Sequence, residues 1–372
     1  MDDLINATLA SINVSLGVND NIQTLPQTTQ RVPPPPPPRP SEALVTFKKY
    51  AYLITCVVGI LGNIIIFFIF TRTKLKKPST ARYLAAAAIA DSGFLLVVMF
   101  VILEESYHVR VHSVIGPCQL ITFGDHAFSF LSRWYLTAVV IEKYIGVMWP
   151  RKKTKMCTVF RAKCVIICLA IIGIVCYLYT TWFVGVHGKP PFCHLFYDDR
   201  RVLDSWKILT KLDAVVNFVI PYLILFVLTC LISYRSWEFH RRSLTAGERF
   251  LRRRRVTTPE DKEFKTTPLL ILLATSTLIL SIPNSAIRIL TITDNFQPTQ
   301  SMMLMMTLFH YFVVLNSAIK IVIYLIASNA FARQIGKTFC LLKHVWKKSD
   351  DSELQTRHIT EKMEGVAIEG KV

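Results

Sequence analysis

Seven long apolar stretches dominate the sequence and restrict the chain to folds that a membrane permits. An apolar run of about 18 residues or more can cross the hydrocarbon core as an α-helix, which satisfies its own backbone hydrogen bonds there. The composition agrees, because 18% of the residues are charged whereas soluble domains contain about 25%. We therefore predict an all-α membrane protein, a seven-transmembrane helix bundle over residues 47–328. The stretches cover residues 50–71, 83–103, 119–141, 164–186, 208–232, 269–291 and 302–327.

The basic residues alternate between successive connections, and this alternation predicts the orientation. Residues 72–82 contain five Lys and Arg, residues 151–163 six and residues 241–265 nine, whereas the intervening connections contain at most four each. Positively charged loops stay on the cytoplasmic side, so we predict an extracellular N-terminus and a cytoplasmic C-terminus. Attraction to anionic lipids explains part of the basic loops but not their alternation. The same distribution argues against nucleic acid as the partner of this +18 chain.

The two ends of the chain have the composition of tails. Residues 1–46 are polar and contain the run Pro33 to Pro38, so we expect a disordered extracellular tail with a stiff, extended segment. Asn6 and Asn13 begin glycosylation sequons on this predicted outer side. At the other end, the last 30 residues, 343–372, are charged and poor in aromatic residues, which favours a disordered cytoplasmic tail.

A short segment after the seventh stretch has mixed polarity. We predict that residues 329–342 form an amphipathic helix on the inner membrane surface. Cys340 near its end is a candidate for palmitoylation, and an ordinary cytosolic cysteine is an equally good interpretation.

Two of the nine cysteines, Cys118 and Cys193, fall on the predicted outer side and outside the apolar stretches. The extracellular compartment oxidises thiols. We therefore predict that these two residues form a disulfide, which joins the start of the third stretch to the connection before the fifth.

The third stretch contains most of the polar interruptions. Four side chains break its apolar run: Asp125, His126, Ser132 and Arg133. Ionisable residues inside a membrane span are costly and indicate function by default. We expect this helix to be the axis of the bundle.

Short motifs recur along the stretches in a defined order. In this order and spacing, they resemble the rhodopsin-like family of G-protein-coupled receptors over residues 45–342. The match extends to invertebrate neuropeptide receptors of the FMRFamide type only as a general pattern. The residues concerned are Gly62, Asn63, Leu84, Ala90, Asp91, Cys118, Glu142, Lys143, Tyr144, Pro150, Cys193, Pro221, Pro283, Asn316, Ser317, Tyr324 and Phe331.

The resemblance implies a plasma-membrane receptor with a ligand cavity on the outer side and a G-protein cleft on the inner side. An extracellular ligand would drive nucleotide exchange on a heterotrimeric G protein, with arrestin and membrane lipids as further partners. The receptor itself would need no cofactor and perform no chemistry. We also find no phosphate loop, metal-ligand cluster or activated nucleophile in the sequence. Residues implied in activation or G-protein contact are Glu142, Lys143, Tyr144, Pro221, Pro283 and Tyr324.

Several family motifs are altered. Glu142, Lys143 and Tyr144 stand where the family has Asp-Arg-Tyr, and lysine keeps the charge of arginine but lacks its planar fork of donors. Ser281 replaces a tryptophan two residues before Pro283, and the seventh stretch lacks its usual proline. We therefore expect an activation switch that differs from that of the family.

The resemblance also implies an internal polar pocket, where Asp91 faces a sodium site. Lys320 replaces the asparagine that would complete this site. We hypothesise that Lys320 pairs with Asp91 and takes the place of the cation, because facing partners offset much of the cost of buried charges. The alternative is that Lys320 extends to the inner surface. The pocket residues are Asn63, Asp91, Ser132, Asn316, Ser317 and Lys320.

Asp125 lies seven residues, about two turns, after Cys118 and should face the cavity. A carboxylate in a dry pocket attracts a cation, and amine receptors of the family place an aspartate here. A rim with both charges suits a peptide with a basic residue and a polar end, so we expect a neuropeptide ligand. The candidate ligand-binding residues are Asp125, Glu104, Glu105, Ser129, Asn284, Arg288, His310 and Tyr311.

Other interpretations stay open. The ligand could be a biogenic amine or a small chemosensory molecule, or Asp125 could pair internally with His126 or Arg288. The sequence disfavours a retinal protein, because Val314 stands where the resemblance to opsins requires the attachment lysine. An ion or proton transporter is a remote alternative that would use Asp91, Asp125 and Lys320 as a relay.

Overall fold

The computed structural model describes residues 42–187, 192–195, 200–245, 259–291 and 299–338. The predicted glycosylation sites Asn6 and Asn13, the palmitoylation candidate Cys340 and the predicted tail 343–372 lie outside the described residues. The basic run Arg252 to Arg255 also lies outside them.

Seven long helices form within the described ranges, one for each apolar stretch, as the sequence predicts. A 3₁₀ turn, Lys74–Lys76, and two short helices, Pro150–Met156 and Thr180–Phe183, lie in the connections. The long helices are α1 (Leu53–Arg72), α2 (Ser79–Tyr107), α3 (Pro117–Met148), α4 (Val159–Tyr177), α5 (Ile220–Thr245), α6 (Pro259–Thr291) and α7 (Gln300–Ala327).

Two of these helices continue from π-helical turns. A helix over Glu42–Phe47 and the turn Lys48–Tyr52 precede α1, so helical structure begins before the domain boundary that we predicted at residue 47. Phe47 explains the extension, because its ring packs edge-on against Tyr311 with the centroids 4.9 Å apart. A helix over Arg200–Asp213 and a second π turn, Ala214–Val219, precede α5. Insertions of this kind are frequent at functional sites.

Six of the long helices are long and apolar enough to cross a membrane by length and composition. α3 falls outside this group because Asp125, His126 and Arg133 interrupt its apolar run. Its neighbours compensate for this, since α3 packs against α2, α4, α5 and α6. The polar residues of the third stretch therefore belong to a helix that other helices surround, which agrees with its predicted position as the axis.

A disulfide joins Cys118 to Cys193 with their Cα atoms 5.6 Å apart, which confirms the predicted pair. Cys193 lies on a short antiparallel hairpin of β1 (Val184–His187) and β2 (Phe192–Leu195), where it pairs with Val186. The prediction that the fourth stretch is helical up to residue 186 was therefore wrong at its end. The β-branched Val184 and Val186 favour the strand, and the glycine between them disfavours a helix.

The last part of the described chain forms a separate compact unit that begins at Tyr324. Residues 329–338 are helical, within the range 329–342 where we predicted a surface helix. Inside this unit Phe331 stacks on Tyr324 with ring centroids 5.0 Å apart, and both rings are buried.

Small residues allow α1 to approach α2 and α7 closely. A Cβ atom added to Gly59 would lie 2.7 Å from Cβ of Ala318 and 2.7 Å from Cδ1 of Leu95. Leu95 and Ala318 belong to a buried apolar cluster that also contains Val314. Close approach at a small residue is how helices associate where lipid removes the hydrophobic driving force.

We predict that Gly59→Ala destabilises the bundle by about 1–3 kcal/mol, because the added methyl group overpacks the contact with α2 and α7. The measurement is the thermal unfolding midpoint of the purified protein in detergent. Gly336→Ala is the matched control, since a Cβ atom there meets nothing within 4 Å. Equal midpoints for the two variants would contradict the assigned contact.

Candidate functional site

A cavity of about 340 Å³ lies between the π turn before α1, α2, α3 and α7. It occupies the half of the bundle that carries the disulfide, since Asp125 on its wall lies two turns after Cys118. Apolar side chains form much of the wall, and polar groups converge from four elements. Such a combination is typical of a ligand site. The apolar lining comprises Val97, Val98, Val101, Ile102, Ile121 and Met306.

Asp125 is a carboxylate on the wall of this cavity. It makes no hydrogen bond or ion pair with any residue that the structure describes. His126 is engaged elsewhere, with its Nδ1 3.0 Å from the carbonyl oxygen of Thr122. Arg288 places its guanidinium over the ring of Phe218, 5.6 Å from the centroid. The structure thus pairs Asp125 with neither of the two internal partners that we considered.

Glu105, also on the cavity wall, has a partner. Its Oε2 lies 3.4 Å from Nζ of Lys48, and the two side chains are only 12% and 10% exposed. The π turn Lys48–Tyr52 places Lys48 on the wall of the cavity. Lys48 was not among the predicted site residues. Basic residues usually stay on the cytoplasmic side, so a lysine at the predicted outer end of a span was an available signal.

A polar contact joins α7 to the π turn that precedes α1, and it involves Tyr52, Thr307 and His310. The hydroxyl of Tyr52 donates to the carbonyl oxygen of Thr307 at 2.8 Å and lies 3.3 Å from Nδ1 of His310. His310, one of the ligand-binding candidates, lies on the cavity wall. Tyr311 lies next to it, bound through its hydroxyl to Thr55 at 3.0 Å.

Glu104 binds the connection between α2 and α3. Its Oε2 accepts the backbone N–H groups of Val111 and Ser113 at 2.9 Å each, and that of His112. The hydroxyl of Ser113 donates to the other oxygen. This candidate ligand residue therefore positions the loop that carries His112, another wall residue. Burial lowers the pKa of His112 below its ordinary value, against the opposing effect of nearby carboxylates, which favours a neutral imidazole.

Three further candidates lie apart from this cavity. Ser129, Asn284 and Arg288 are not among its lining residues. The guanidinium of Arg288 lies instead against Phe218, in the π turn before α5.

Asp91 and Lys320 meet in the middle of the bundle. Nζ of Lys320 lies 2.6 Å from Oδ2 of Asp91, and their side chains are 8% and 0% exposed. Ser132 of α3 donates to the other carboxylate oxygen at 2.6 Å and lies 3.4 Å from the same Nζ. The lysine is thus directed inward to the carboxylate rather than to the membrane surface.

The remaining pocket residues link α1, α6 and α7. Nδ2 of Asn63 donates to the carbonyl oxygens of Gly59 and Ser317, each at 3.0 Å. Oδ1 of Asn316 accepts from the hydroxyl of Thr277 at 3.2 Å. These bonds connect α7 to α1 and to α6.

A second buried charge network was not assigned from the sequence. Nε of Arg133, a residue only 8% exposed, donates to Oδ1 of Asn217 at 2.8 Å. Nδ2 of Asn217 donates at 3.3 Å to Oδ1 of Asp213, which also accepts from the hydroxyl of Tyr177. The network joins α3, α4 and the π turn before α5. An arginine in the middle of a span was the available sequence signal for such a network. Its partners could not be predicted, because the π turn determines which way Asn217 faces.

The other end of α3 contacts α2 and α6. Oε1 of Glu142 accepts hydrogen bonds from the hydroxyls of Ser79 and Thr80, each at 2.6 Å. Nζ of the buried Lys143 donates to Oγ1 of Thr266 at 2.7 Å.

Three further predicted switch residues lie on three different helices. Tyr144 packs edge-on against Trp149, with ring centroids 5.7 Å apart. Pro221 lies in α5 directly after its π turn, and Pro283 lies inside α6.

We predict that Lys320→Met destabilises the protein by about 3–5 kcal/mol, because it leaves a carboxylate buried without its partner. Asp91→Asn should also be destabilising, since it strands the ammonium group. The double variant should be less destabilised than the sum of the single variants, which a thermal unfolding cycle measures. Additive losses would contradict a direct pair.

Comparison with known proteins identifies relatives among peptide receptors. The thyrotropin-releasing hormone receptor of Gallus gallus is 35% identical over 116 residues, which are 31% of this chain and 29% of that receptor. The somatostatin receptor type 2 of Sus scrofa is 26% identical over 155 residues, 41% of this chain and 40% of the receptor. The neuropeptides B/W receptor type 2 of Bos taurus is 29% identical over 198 residues, 51% and 57% of the two chains. The chain thus matches less than two thirds of the length of each of these relatives.

A family match covers most of the chain and includes all seven long helices in whole or in part. Residues 62–324 match the family described as 7 transmembrane receptor (rhodopsin family). This match and the apolar helices indicate a multi-pass protein of the plasma membrane. The chain belongs to the rhodopsin family of seven-transmembrane receptors.

Proposed function

We propose that this receptor binds an extracellular neuropeptide with a cationic group and activates a heterotrimeric G protein. The observation that carries the proposal is Asp125, a carboxylate on an otherwise largely apolar wall that makes no ion pair with the described residues. A charge in a low-dielectric site interacts strongly with an opposite charge. A ligand ammonium or guanidinium group would supply the missing partner.

The relatives support a peptide as the ligand. They are named as receptors for thyrotropin-releasing hormone, somatostatin and neuropeptides B/W. The cavity of about 340 Å³ would accept one or two residues of a peptide, and the rest would contact the hairpin and the α2–α3 loop. The basic connections support placing this cavity on the extracellular side.

The opposite end of the bundle supports the contact with the G protein. Glu142 is held by α2, and Lys143 is held by α6, so this end of α3 depends on two neighbouring helices. A ligand-driven change in α6 would release Lys143 for the G protein. The basic residues in the connections at this end suit anionic lipids, and arrestin is a further partner of the same cleft.

A biogenic amine or small chemosensory ligand is the second candidate. The size of the cavity favours it, because about 340 Å³ is on the scale of a small-molecule site and Asp125 is a partner for its amine. A peptide and an amine differ in one respect that can be measured. A peptide should also depend on the loop that Glu104 holds, whereas an amine should depend on the cavity wall alone.

We predict that Asp125→Asn raises the half-maximal concentration of any cationic agonist at least about 30-fold, because the ligand charge loses its partner. The measurement is a peptide and amine library screened on cells with calcium and cAMP readouts. Asp204→Asn is the matched control, since Asp204 is exposed and outside the cavity wall. An unchanged response in a well-expressed Asp125→Asn receptor would refute the assignment.

We predict that Thr266→Val raises ligand-independent signalling by about 2–5-fold, because the loss of one α3–α6 hydrogen bond shifts the equilibrium by about 0.5–1 kcal/mol. The measurement is basal nucleotide exchange on a purified G protein at equal receptor amounts. Ser276→Ala is the control, since the Ser276 hydroxyl binds a carbonyl of its own helix. Equal basal rates in both variants would remove Thr266 from the switch.

A further inference from the structure

The cavity wall contains two carboxylates and one built-in ammonium group. Glu105 and Asp125 both line the cavity, and Lys48 lines it beside Glu105 at 3.4 Å. These groups belong to α2, α3 and the turn before α1. The other titratable wall residues are Tyr52, His112 and His310. The wall therefore carries a net charge of −1 when Lys48 is present and the histidines are neutral.

The backbone places Lys48 inward. It occupies the first position of the π turn Lys48–Tyr52 and is 8% exposed. The next residue, Lys49, has a different environment, since its Nζ lies 4.9 Å from the centroid of the Tyr107 ring and it does not line the cavity. Burying an ammonium group is unfavourable unless it is paired. The Lys48–Glu105 pair is therefore a built contact and not a chance surface pair.

We propose that Lys48 is a specificity-determining residue, which neutralises Glu105 and limits the cavity to ligands that present one cationic group. This inference rests on the proposed function only in its statement about ligands. Lys48 repels a second cation that approaches Glu105, and Asp125 attracts the first. Without Lys48, both carboxylates attract cations, and the cavity accepts a dication.

The charge of the cavity can be measured without a ligand or a G protein. A reporter cysteine at Thr122 or Val101, both on the cavity wall, is modified with methanethiosulfonates that differ in charge. The probes are the trimethylammonium-ethyl and the sulfonato-ethyl reagents, and the readout is the ratio of their rate constants. The parent receptor without the reporter provides the background from its native cysteines.

Lys48→Gln should raise the cation-to-anion rate ratio about tenfold, as expected for the removal of one nearby charge at an intermediate dielectric constant. Lys49→Gln should leave the ratio unchanged, and Lys48→Arg should retain the parent value. Glu105→Gln should lower the ratio. Equal ratios in Lys48→Gln and Lys49→Gln, at both reporters, would overturn the assignment.

Protection of the reporter by small probes tests the selection for one charge. Agmatine, a dication, should protect the reporter poorly in the parent background and much better in Lys48→Gln. This increase in protection should exceed the increase for phenethylamine, a monocation. Equal gains for the two probes would overturn the one-cation limit. A receptor that answers no ligand in cells would contradict the proposed function and leave these measurements unaffected.

Discussion

A charge buried in a membrane protein needs an opposite charge close by, and this constraint shapes the interior of the bundle. The Lys320–Asp91 pair is its clearest instance, with 2.6 Å between the charged atoms and almost complete burial. Ser132 adds a hydrogen bond from α3, so α2, α3 and α7 meet at one charge centre. The pair supports our hypothesis that the ammonium group of Lys320 takes the place of a cation. This arrangement accounts for a seventh helix that departs from the family at this position.

Two other buried cations follow the same constraint with different partners. Lys48 matches Glu105 on the cavity wall, and Asn217 links Arg133 to Asp213 through two hydrogen bonds. The buried Glu142 is bound by two hydroxyl groups instead, and the half-buried Asp125 makes no hydrogen bond or ion pair with the described residues. The distribution of charge therefore distinguishes groups that hold helices together from a group that is available to a ligand. α3 carries both kinds, which explains why its apolar run is interrupted in the middle of the helix.

The seven helices could be predicted because each apolar stretch is long enough to span a membrane as a helix. The disulfide could be predicted because the topology left Cys118 and Cys193 on the extracellular side. It placed Asp125, Glu105 and His310 at the ligand site, but it gave Glu104 the same role. Helical spacing cannot show that Glu104 turns toward the backbone of the next loop. Lys48 was missed for a similar reason, since a π turn changes which residues of a helix face inward.

The direct contact between Lys320 and Asp91 is the interaction on which the interior of the bundle depends. Exchanging the two residues tests it, because the Asp91→Lys, Lys320→Asp variant keeps both charges and reverses their positions. The measurement is the thermal unfolding midpoint of the purified receptor, compared with the Asp91→Lys and Lys320→Asp single variants. We predict that each single variant, which places two like charges side by side, unfolds at a much lower temperature and that the exchange recovers most of this loss. An exchange variant that is no more stable than the single variants would contradict the direct pair.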